Sequence, residues 1–370
     1  MADGSRDAPH GALIGGFLFL VLLMSAGSAM GLDGGSSSGG GTISQTVNPN
    51  APRLIAFDMR YASNNSSAMG NQVDVLTGLH FWIRVNNTNG WASLTNLWIN
   101  LWYDAGDDAT SYDAANSAAN YKINITYTNA GASSPTATQW ALIGGNIAFV
   151  NSANVTTYTV QPNFEYAFRL SFQLHTQIHQ AQKPILSSTG YANAYSWNAR
   201  FGANDVSNDI NYTSKDPTAG TFYEFGVYQY TSISLASTTW TGASGAPGQT
   251  VLTNSITVTH SSNAAYWLNV TAGGDLTNAS SGNTIGITNV KVVHNAGQDD
   301  LSANTAFPGS APRTVTLLGT GTNTPHAFDT TGDSQTVPVQ FQISIPLGTF
   351  AATYTATITV LVDQRKPPTT

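Results

Sequence analysis

Apolar and polar residues alternate with a period of two along most of the chain, which is the pattern of β-strands with one buried face. In LHFWIRV, residues 79–85, the large apolar side chains other than tryptophan all fall on one face. No window long enough for a helix carries a convincing helical stripe. We therefore predict an all-β fold, with strands at residues 79–85, 97–103, 165–178, 222–236, 339–345 and 352–362, of which the last two have the clearest pattern.

Turn-forming residues separate these strands at intervals of about 8–12 residues, a spacing typical of β-sandwiches. A stretch rich in Gly, Ala, Pro and Ser at residues 241–250 divides them into two groups. We predict two consecutive immunoglobulin-like or jelly-roll-like β-sandwich domains, at residues 43–240 and 251–365, with 241–250 as the linker. No internal repeat of fixed period indicates a solenoid or a propeller.

The amino-terminal region combines an apolar segment with a Gly/Ser tract. Residues 11–32 carry no charge and pass into small side chains at Ser28 and Ala29, as in a secretory signal peptide. At about 22 residues the segment could also span a bilayer as a retained anchor, and a retained pilin-type assembly helix is a third interpretation. We predict that residues 1–29 are a signal peptide or anchor, that 30–42 form a flexible linker, and that the protein is secreted to the cell surface.

The composition excludes several kinds of function. Only 9% of the 370 residues are charged, the formal net charge is −7, and there is no cysteine. Scattered basic residues on an acidic chain do not form a patch for phosphate backbones, so nucleic acid is not an expected partner. The absence of cysteine excludes disulfides, thiol catalysis and cysteine-ligated metals.

Two histidines four residues apart, His175 and His179, have the spacing of a helical metal site. They fall within the predicted strand 165–178 and its continuation, where residues i and i+4 lie about 13 Å apart and cannot share one ion. We therefore expect both on the solvent face of a strand, with a pH-sensitive subunit contact as their one functional interpretation.

A cluster of aspartates follows the strand at 97–103. Carboxylates in one loop with a glycine can hold a structural calcium ion, although they are equally ordinary turn residues. No nucleophile elbow, phosphate loop or dinucleotide motif accompanies them. We predict a non-enzymatic protein, with a glycoside-active enzyme as the remaining enzymatic alternative and no cofactor beyond calcium at Asp104, Asp107, Asp108 and Asp113.

Three tryptophans lie opposite the aliphatic faces of their strands. If those faces are open to solvent, a row of indole rings could stack on a polysaccharide. If the strands are buried on both faces, a loop or a neighbouring subunit covers the rings, and we favour the subunit. The three are Trp82, Trp98 and Trp102.

Eight Asn-x-Ser/Thr sequons are spread over the chain after residue 43. Single sequons arise by chance in a chain rich in Asn, Ser and Thr, but their distribution suits a glycosylated exterior. N-linked glycans are therefore expected at Asn64, Asn65, Asn86, Asn124, Asn154, Asn211, Asn269 and Asn278.

The signal-like segment, the Gly/Ser linker, the sequon-rich and charge-poor strands and the ending VPVQFQISIPLGTFAATYTATITVLV resemble archaeal secreted β-sandwich surface proteins. The ending resembles the last hairpin of their immunoglobulin-like domains, with Tyr354 just inside the closing strand. Among these proteins are subunits of thread-like and bundling pili, which polymerise by donor-strand complementation. The resemblance implies that an amino-terminal strand of one subunit completes a sheet of the next.

Residues 42–61 are the predicted donor, because they follow the flexible linker and carry spaced apolar side chains. The alternative is that they form the first strand of their own domain. We expect a structural subunit of a glycosylated extracellular filament or surface layer, built as a homopolymer, with an adhesin or polysaccharide-binding module as the second hypothesis. The apolar positions of the donor are Ile43, Val47, Leu54, Ile55 and Phe57.

Overall fold

A computed structural model of the chain describes residues 50–103, 121–145, 147–148, 152–191, 195–321, 323–327 and 334–365. Within these ranges the protein contains β-strands, four short 3-10 turns and no α-helix. The 3-10 turns are Trp91–Ser93, Ala137–Gln139, Ser152–Asn154 and Ile287–Asn289. The prediction of an all-β fold built from sandwiched sheets is confirmed.

Twelve strands form the first lobe, which consists of two sheets packed face to face. One sheet has the order β1-β3-β9-β7, with β8 also paired to β9, and the other has the order β2-β12-β10-β4-β5-β6, with β11 paired to β10. The strands are β1 Arg53–Tyr61, β2 Gln72–Val73, β3 Gly78–Asn86, β4 Leu94–Tyr103, β5 Lys122–Thr128, β6 Trp140–Gly144, β7 Ile147–Ala148, β8 Val155–Gln161, β9 Glu165–Leu174, β10 Trp197–Asp205, β11 Ile210–Thr213 and β12 Glu224–Val227.

Aromatic rings from both sheets fill the space between them. Phe57 of β1 stacks on Phe81 of its own sheet at 5.8 Å and on Phe201 of the facing sheet at 5.5 Å. Trp91 is fully buried, and its indole N–H donates to the Tyr127 hydroxyl at 2.9 Å. The predicted core face of β3 is confirmed, because its four apolar residues of one parity are 0% exposed. These are Leu79, Phe81, Ile83 and Val85.

The second lobe contains the remaining twelve strands. Its sheets have the orders β13-β15-β22, β14-β23-β19-β20 and β21-β16-β24, and β17 pairs with β18 alone. The strands are β13 Thr231–Leu235, β14 Thr250–Leu252, β15 Ile256–Ser262, β16 Tyr266–Ala272, β17 Leu276–Thr277, β18 Thr284–Ile285, β19 Val290–Val292, β20 Thr305–Ala306, β21 Thr314–Leu318, β22 Gln335–Val339, β23 Phe341–Ser344 and β24 Ile358–Gln364.

A separate cluster of buried residues forms the core of this lobe. Phe341 is central to it, with the Trp240 ring at 5.3 Å and the Phe307 ring at 6.0 Å. His260 is also buried and shares a hydrogen bond of 2.8 Å with the Tyr266 hydroxyl. Each lobe therefore has its own apolar core.

The two lobes meet through backbone and amide hydrogen bonds. The Gln180 N–H donates to the Asn263 carbonyl at 3.0 Å, and the Asn263 side-chain amide donates to the Tyr228 carbonyl at 2.9 Å. The Gln180 side chain reaches the carbonyl of Arg365 at 2.8 Å. The junction thus lies at the end of β12 and just beyond the end of β24.

Two predicted strands differ from the observed ones, each for a topological reason. The run 222–236 is not one strand: β12 ends at Val227 in the first lobe and β13 begins at Thr231 in the second. The closing strand starts later than predicted, at Ile358, so Tyr354 precedes it and donates its hydroxyl to the Phe350 carbonyl at 3.1 Å.

Candidate functional site

The second lobe has an open edge between β13 and β24. β13 is paired only with β15, and β24 only with β16, among the strands that the structure describes. The two strands approach each other without forming a ladder. This pair of neighbouring edges is named the open edge below.

The hydrogen-bond alternation of β24 shows which backbone groups face the open edge. Gly273 donates to the Thr357 carbonyl at 2.8 Å, and Arg365 donates to the Ala265 carbonyl at 2.9 Å. Odd-numbered residues of β24 therefore bond to β16, and the even-numbered Ile358, Val360 and Val362 direct their N–H and C=O groups outward. The side chains of these same residues face the core, and Ile358 and Val360 are only half-buried.

β13 has the same arrangement. Ala236 donates to the Thr257 carbonyl at 3.0 Å, and Asn263 donates to the Tyr230 carbonyl at 3.2 Å, so even-numbered residues bond to β15. Ile233 and Leu235 then face the open edge with their backbone groups. Ile233 lies opposite the buried His260, yet 41% of its surface is exposed. An inward-facing isoleucine with this exposure indicates that the sandwich is incompletely covered here.

One end of the open edge is held together by Gln364. Its side-chain amide N–H groups donate to the Tyr230 carbonyl at 3.2 Å and to oxygens of Ser262 and Asn263, both at 2.8 Å. This end adjoins the first lobe, because Asn263 also bonds to Gln180. The apolar part of the open edge, near Leu235 and Ile358, therefore lies at the end of the second lobe that is away from the first.

The described chain begins at the end of the first lobe that is away from the second lobe. Asn50 accepts a hydrogen bond of 2.7 Å from the Asn89 side chain, at the end of β3 that is remote from the second lobe. The other end of β1 leads towards the junction: the Tyr61 hydroxyl donates to Gln72 at 3.2 Å, and the Gln72 amide donates to Ala181 at 2.9 Å. Asn50 thus lies at the end of the first lobe that is away from the second lobe, and the apolar part of the open edge lies at the end of the second lobe that is away from the first.

The predicted donor is wrong for its second half. Leu54, Ile55 and Phe57 belong to β1, which pairs along its length with β3 of the same lobe. Phe57 is 2% exposed in the first core, and the loop after β1 covers part of the outer side of this strand through the Arg60–Ser67 bridge. The alternative of a first strand of the chain's own domain is therefore the observed one. Ile43 and Val47 lie outside the described residues.

The three tryptophans do not form one exposed row. Trp82 lies on the outer face of the first sheet, whereas Trp98 and Trp102 lie on the outer face of the other. Trp102 is 1% exposed, with the Tyr191 ring at 5.3 Å, so a loop of the same chain covers it rather than a neighbouring subunit. Trp98 is half-buried over Gly202 and beside Tyr212, and Trp82 is half-buried beside Tyr158.

The histidine pair does not lie on a strand face. β9 ends at Leu174, and Ile178 donates to the His175 carbonyl in a turn. The His179 ring then packs on Tyr103 at 4.1 Å and on Tyr121 at 5.0 Å. Burial lowers the pKa of His179 to about 4, below the range of a switch near neutral pH. The expectation of two solvent-facing histidines on a strand is wrong, because the chain turns at residue 175.

The sequon asparagines differ in accessibility. Asn64 and Asn65 are exposed in the loop after β1, whereas Asn278 is 9% exposed and its amide N–H donates to the Thr353 carbonyl at 3.0 Å. Each of the other five is half-buried: Asn86, Asn124, Asn154, Asn211 and Asn269.

The aspartates of the predicted calcium loop, Asp104, Asp107, Asp108 and Asp113, all lie outside the described residues. Within the ranges described, no group of three or more His, Asp or Glu side chains could hold a metal ion. No helix in the same ranges is long and apolar enough to cross a membrane.

Comparison with known proteins gives no family. The sequence matches no protein-family profile and no curated protein. Among solved structures, the chain is similar to the CsuC-CsuE chaperone-tip adhesion subunit pre-assembly complex from the archaic chaperone-usher Csu pili of Acinetobacter baumannii. The sequence identity is 11%, the match covers 75% of this chain and 89% of that chain, and the TM-score is 0.22. A similarity at this level carries no argument about function.

The open edge was missed at the level of sequence. The alternation of residues 354–362 identified the inward side chains of β24, but no signal distinguishes an edge strand that has a neighbour from one that lacks it. The basic side chains near Trp82 were also missed, since only the pairing of β1, β3 and β9 brings them together.

Proposed function

We propose that the protein is a non-enzymatic structural subunit of an extracellular filament, in which residues 42–48 of one copy pair with the open edge of the next. One observation carries this proposal. At Ile358, Val360 and Ile233, the backbone N–H and C=O groups point out of the sheet edge, and the side chains face the core but are only partly covered. An added strand would satisfy the backbone groups and cover the side chains at once.

The sequence TISQTVN, residues 42–48, suits the role of the added strand. Ile43 and Val47 share one parity and would face the core, while Ser44 and Thr46 share the other and would face solvent. The tract before this segment is rich in Gly and Ser, a composition typical of flexible linkers. Residues 53–61 are excluded from donation, because they already complete the first lobe.

Chain length favours donation to a second copy over insertion into the same chain. Ile43 is seven residues from Asn50 and can lie at most about 25 Å from it. β1 has nine residues and spans about 30 Å, from the end of the first lobe that contains Asn50 to the end that adjoins the second lobe. The segment therefore falls short of the open edge of its own chain. Head-to-tail donation that does not close on itself propagates as a filament.

Two double substitutions test this proposal in the full chain. Ile43→Asp with Val47→Asp removes two buried aliphatic side chains, each contributing about 1.5–3 kcal/mol, so the contact weakens by about 10²–10⁴-fold. Ser44→Asp with Thr46→Asp adds the same charge on the solvent-facing side and is the matched control. Negative-stain microscopy and sedimentation should find polymers in the control only.

Two results would contradict the proposal. Filaments formed equally well by both double variants would show that residues 42–48 are not inserted with this parity. Equal loss in both variants would show that charge alone governs assembly. On the acceptor side, Val360→Asp should abolish assembly while the exposed Thr359→Asp should not, with circular dichroism confirming that each variant folds.

Extracellular location and N-linked glycans are part of the same proposal. They are supported by the signal-like segment and by the exposure of Asn64 and Asn65. The alternative role of an adhesin through three exposed tryptophans loses its support at Trp102, which is buried.

A further inference from the structure

The outer face of the first sheet contains a cavity that strand assembly does not use. Its volume is about 470 Å³, within the range of small-molecule sites. Residues 62–65 form one wall, and the other lining side chains are Arg60, His80, Trp82, Tyr158 and Arg169.

Strand register places these side chains together. Arg60 lies opposite His80 in the pairing of β1 with β3, and Trp82 lies opposite Arg169 in the pairing of β3 with β9. Residues directly opposite in antiparallel strands share a face. Tyr158 reaches the same place from β8, with its ring centroid 5.5 Å from that of Trp82. Trp82 is half-buried and Tyr158 is 41% exposed, so the rings form an aromatic wall that is open to solvent.

The lining of the cavity contains two arginines and no carboxylate, on a chain whose net charge is −7. Arg60 is paired with Asp58 at 2.8 Å. Arg169, in contrast, has no ion pair among the described residues, and its Nε is buried without a hydrogen bond to any of them. A buried guanidinium N–H without an acceptor is costly, and a ligand oxygen would relieve that cost.

His80 contributes a neutral polar group rather than a third positive charge. Burial, together with the charges of Arg169 and Arg60, lowers its pKa to about 4. Its Nε2 lies 3.0 Å from the Asn65 side-chain oxygen, so Nε2–H donates there and Nδ1 is left as an acceptor. Nδ1 is buried and bonds to none of the described residues. A ligand hydroxyl could donate to it.

We propose that this cavity binds a sugar residue that carries a carboxylate. An aromatic wall suits the apolar face of a pyranose ring, the guanidinium of Arg169 matches the planar geometry of a carboxylate, and His80 accepts from a hydroxyl. This is a ligand-binding function beyond the proposed assembly and does not depend on it. Two sources of such a sugar exist: an external acidic polysaccharide, and a glycan on Asn64 or Asn65 in the cavity wall.

Calorimetry on the full chain, produced without glycosylation, tests the proposal. The probe is trigalacturonate, and its methyl ester is the matched neutral probe. We expect saturable binding of the acid that is at least about tenfold tighter than binding of the ester, because the ester cannot form the charged pair with Arg169. No saturable binding of the acid, or equal binding of acid and ester, would overturn the proposal.

Variants localise the site. Arg169→Gln and Tyr158→Ala should each weaken trigalacturonate binding several-fold, while Arg53→Gln, which removes an exposed charge outside the cavity, should not change it. An equal effect of Arg53→Gln would refute a specific site. Tyr158 is exposed, so its replacement keeps the test valid even if Arg169→Gln fails to fold.

A second arm distinguishes the two sources. Glycosylated protein with Ser66→Ala and Ser67→Ala, which lacks both acceptor motifs but keeps Asn65 beside His80, is compared with the glycosylated wild type. Binding of the probe only to the double variant assigns the cavity to the chain's own glycan, whereas equal binding to both assigns it to an external saccharide. Both results support the proposal, and absence of binding to both proteins refutes it.

Discussion

Phe57→Ala is the substitution that most directly tests whether β1 belongs to its own subunit. The Phe57 ring is 2% exposed and contacts rings from both sheets: Phe81 at 5.8 Å, Phe201 at 5.5 Å and Tyr223 at 5.1 Å. Truncating a buried phenylalanine costs about 3–5 kcal/mol, and loss of the ring pairs places this site towards the upper end. The cost should appear in the monomer, because all three partner rings come from the same chain.

Urea denaturation followed by tryptophan fluorescence measures this cost. Six of the eight tryptophans lie in the first lobe, at positions 82, 91, 98, 102, 140 and 197, so the signal reports mainly on that lobe. Ile185→Ala, at an 82% exposed site in the same lobe, is the control and should change stability by less than about 0.5 kcal/mol. A cost of Phe57→Ala below about 1 kcal/mol would refute the placement of β1.

Three further predictions concern other parts of the protein. Burial lowers the pKa of His80, His179 and His260 to about 4 each. The unfolded chain therefore binds more protons than the folded one between pH 6.5 and pH 4, and the free energy of unfolding should fall as the pH drops through this range. Urea titrations at several pH values should show a smaller fall for His260→Gln than for the wild type. Gly202→Val should destabilise the first lobe by about 1–3 kcal/mol, because the new side chain would overlap the Trp98 ring, whereas the control Gly144→Val, at an exposed position of β6 with no atom near the new side chain, should not. In a glycosylating host, glycopeptide mass spectrometry should find Asn64 or Asn65 occupied and Asn278 unmodified, because only the former pair is exposed; full occupancy of Asn278 would contradict the fold of its loop.

Periodicity predicted best the strands inside a sheet, which have a paired strand on each side. β3, β4 and β9 show the expected alternation of residue types, although His80 of β3 and both Asn100 and Trp102 of β4 are buried on the face opposite the core. The same pattern misplaced the end of β9. Ile178 keeps the apolar parity although the chain has turned at His175, since Ile178 is buried by the turn itself.

Periodicity could not decide whether residues 53–57 pair within their own chain or with another copy. An apolar alternating segment pairs equally well with its own chain or with another, and the composition of residues 53–57 is the same in both cases. Only the three-dimensional register with β3 assigns this segment to the first lobe. Likewise, Trp102 faces away from the core, but the ring of Tyr191, distant in sequence, covers it.

A cross-linking experiment tests the central claim that residues 42–48 of one copy pair with β24 of another. The chain has no cysteine, so the only thiols available for cross-linking are those introduced by substitution. Thr46→Cys and Thr359→Cys in one chain place thiols on the outward side of both strands, and a short bis-maleimide should convert filaments into a covalent ladder. Thr46→Cys with Thr159→Cys, an exposed threonine on β8 of the first lobe, is the matched control and should give none. A ladder in the control as strong as in the test chain, or cross-links found only within single chains, would contradict the account.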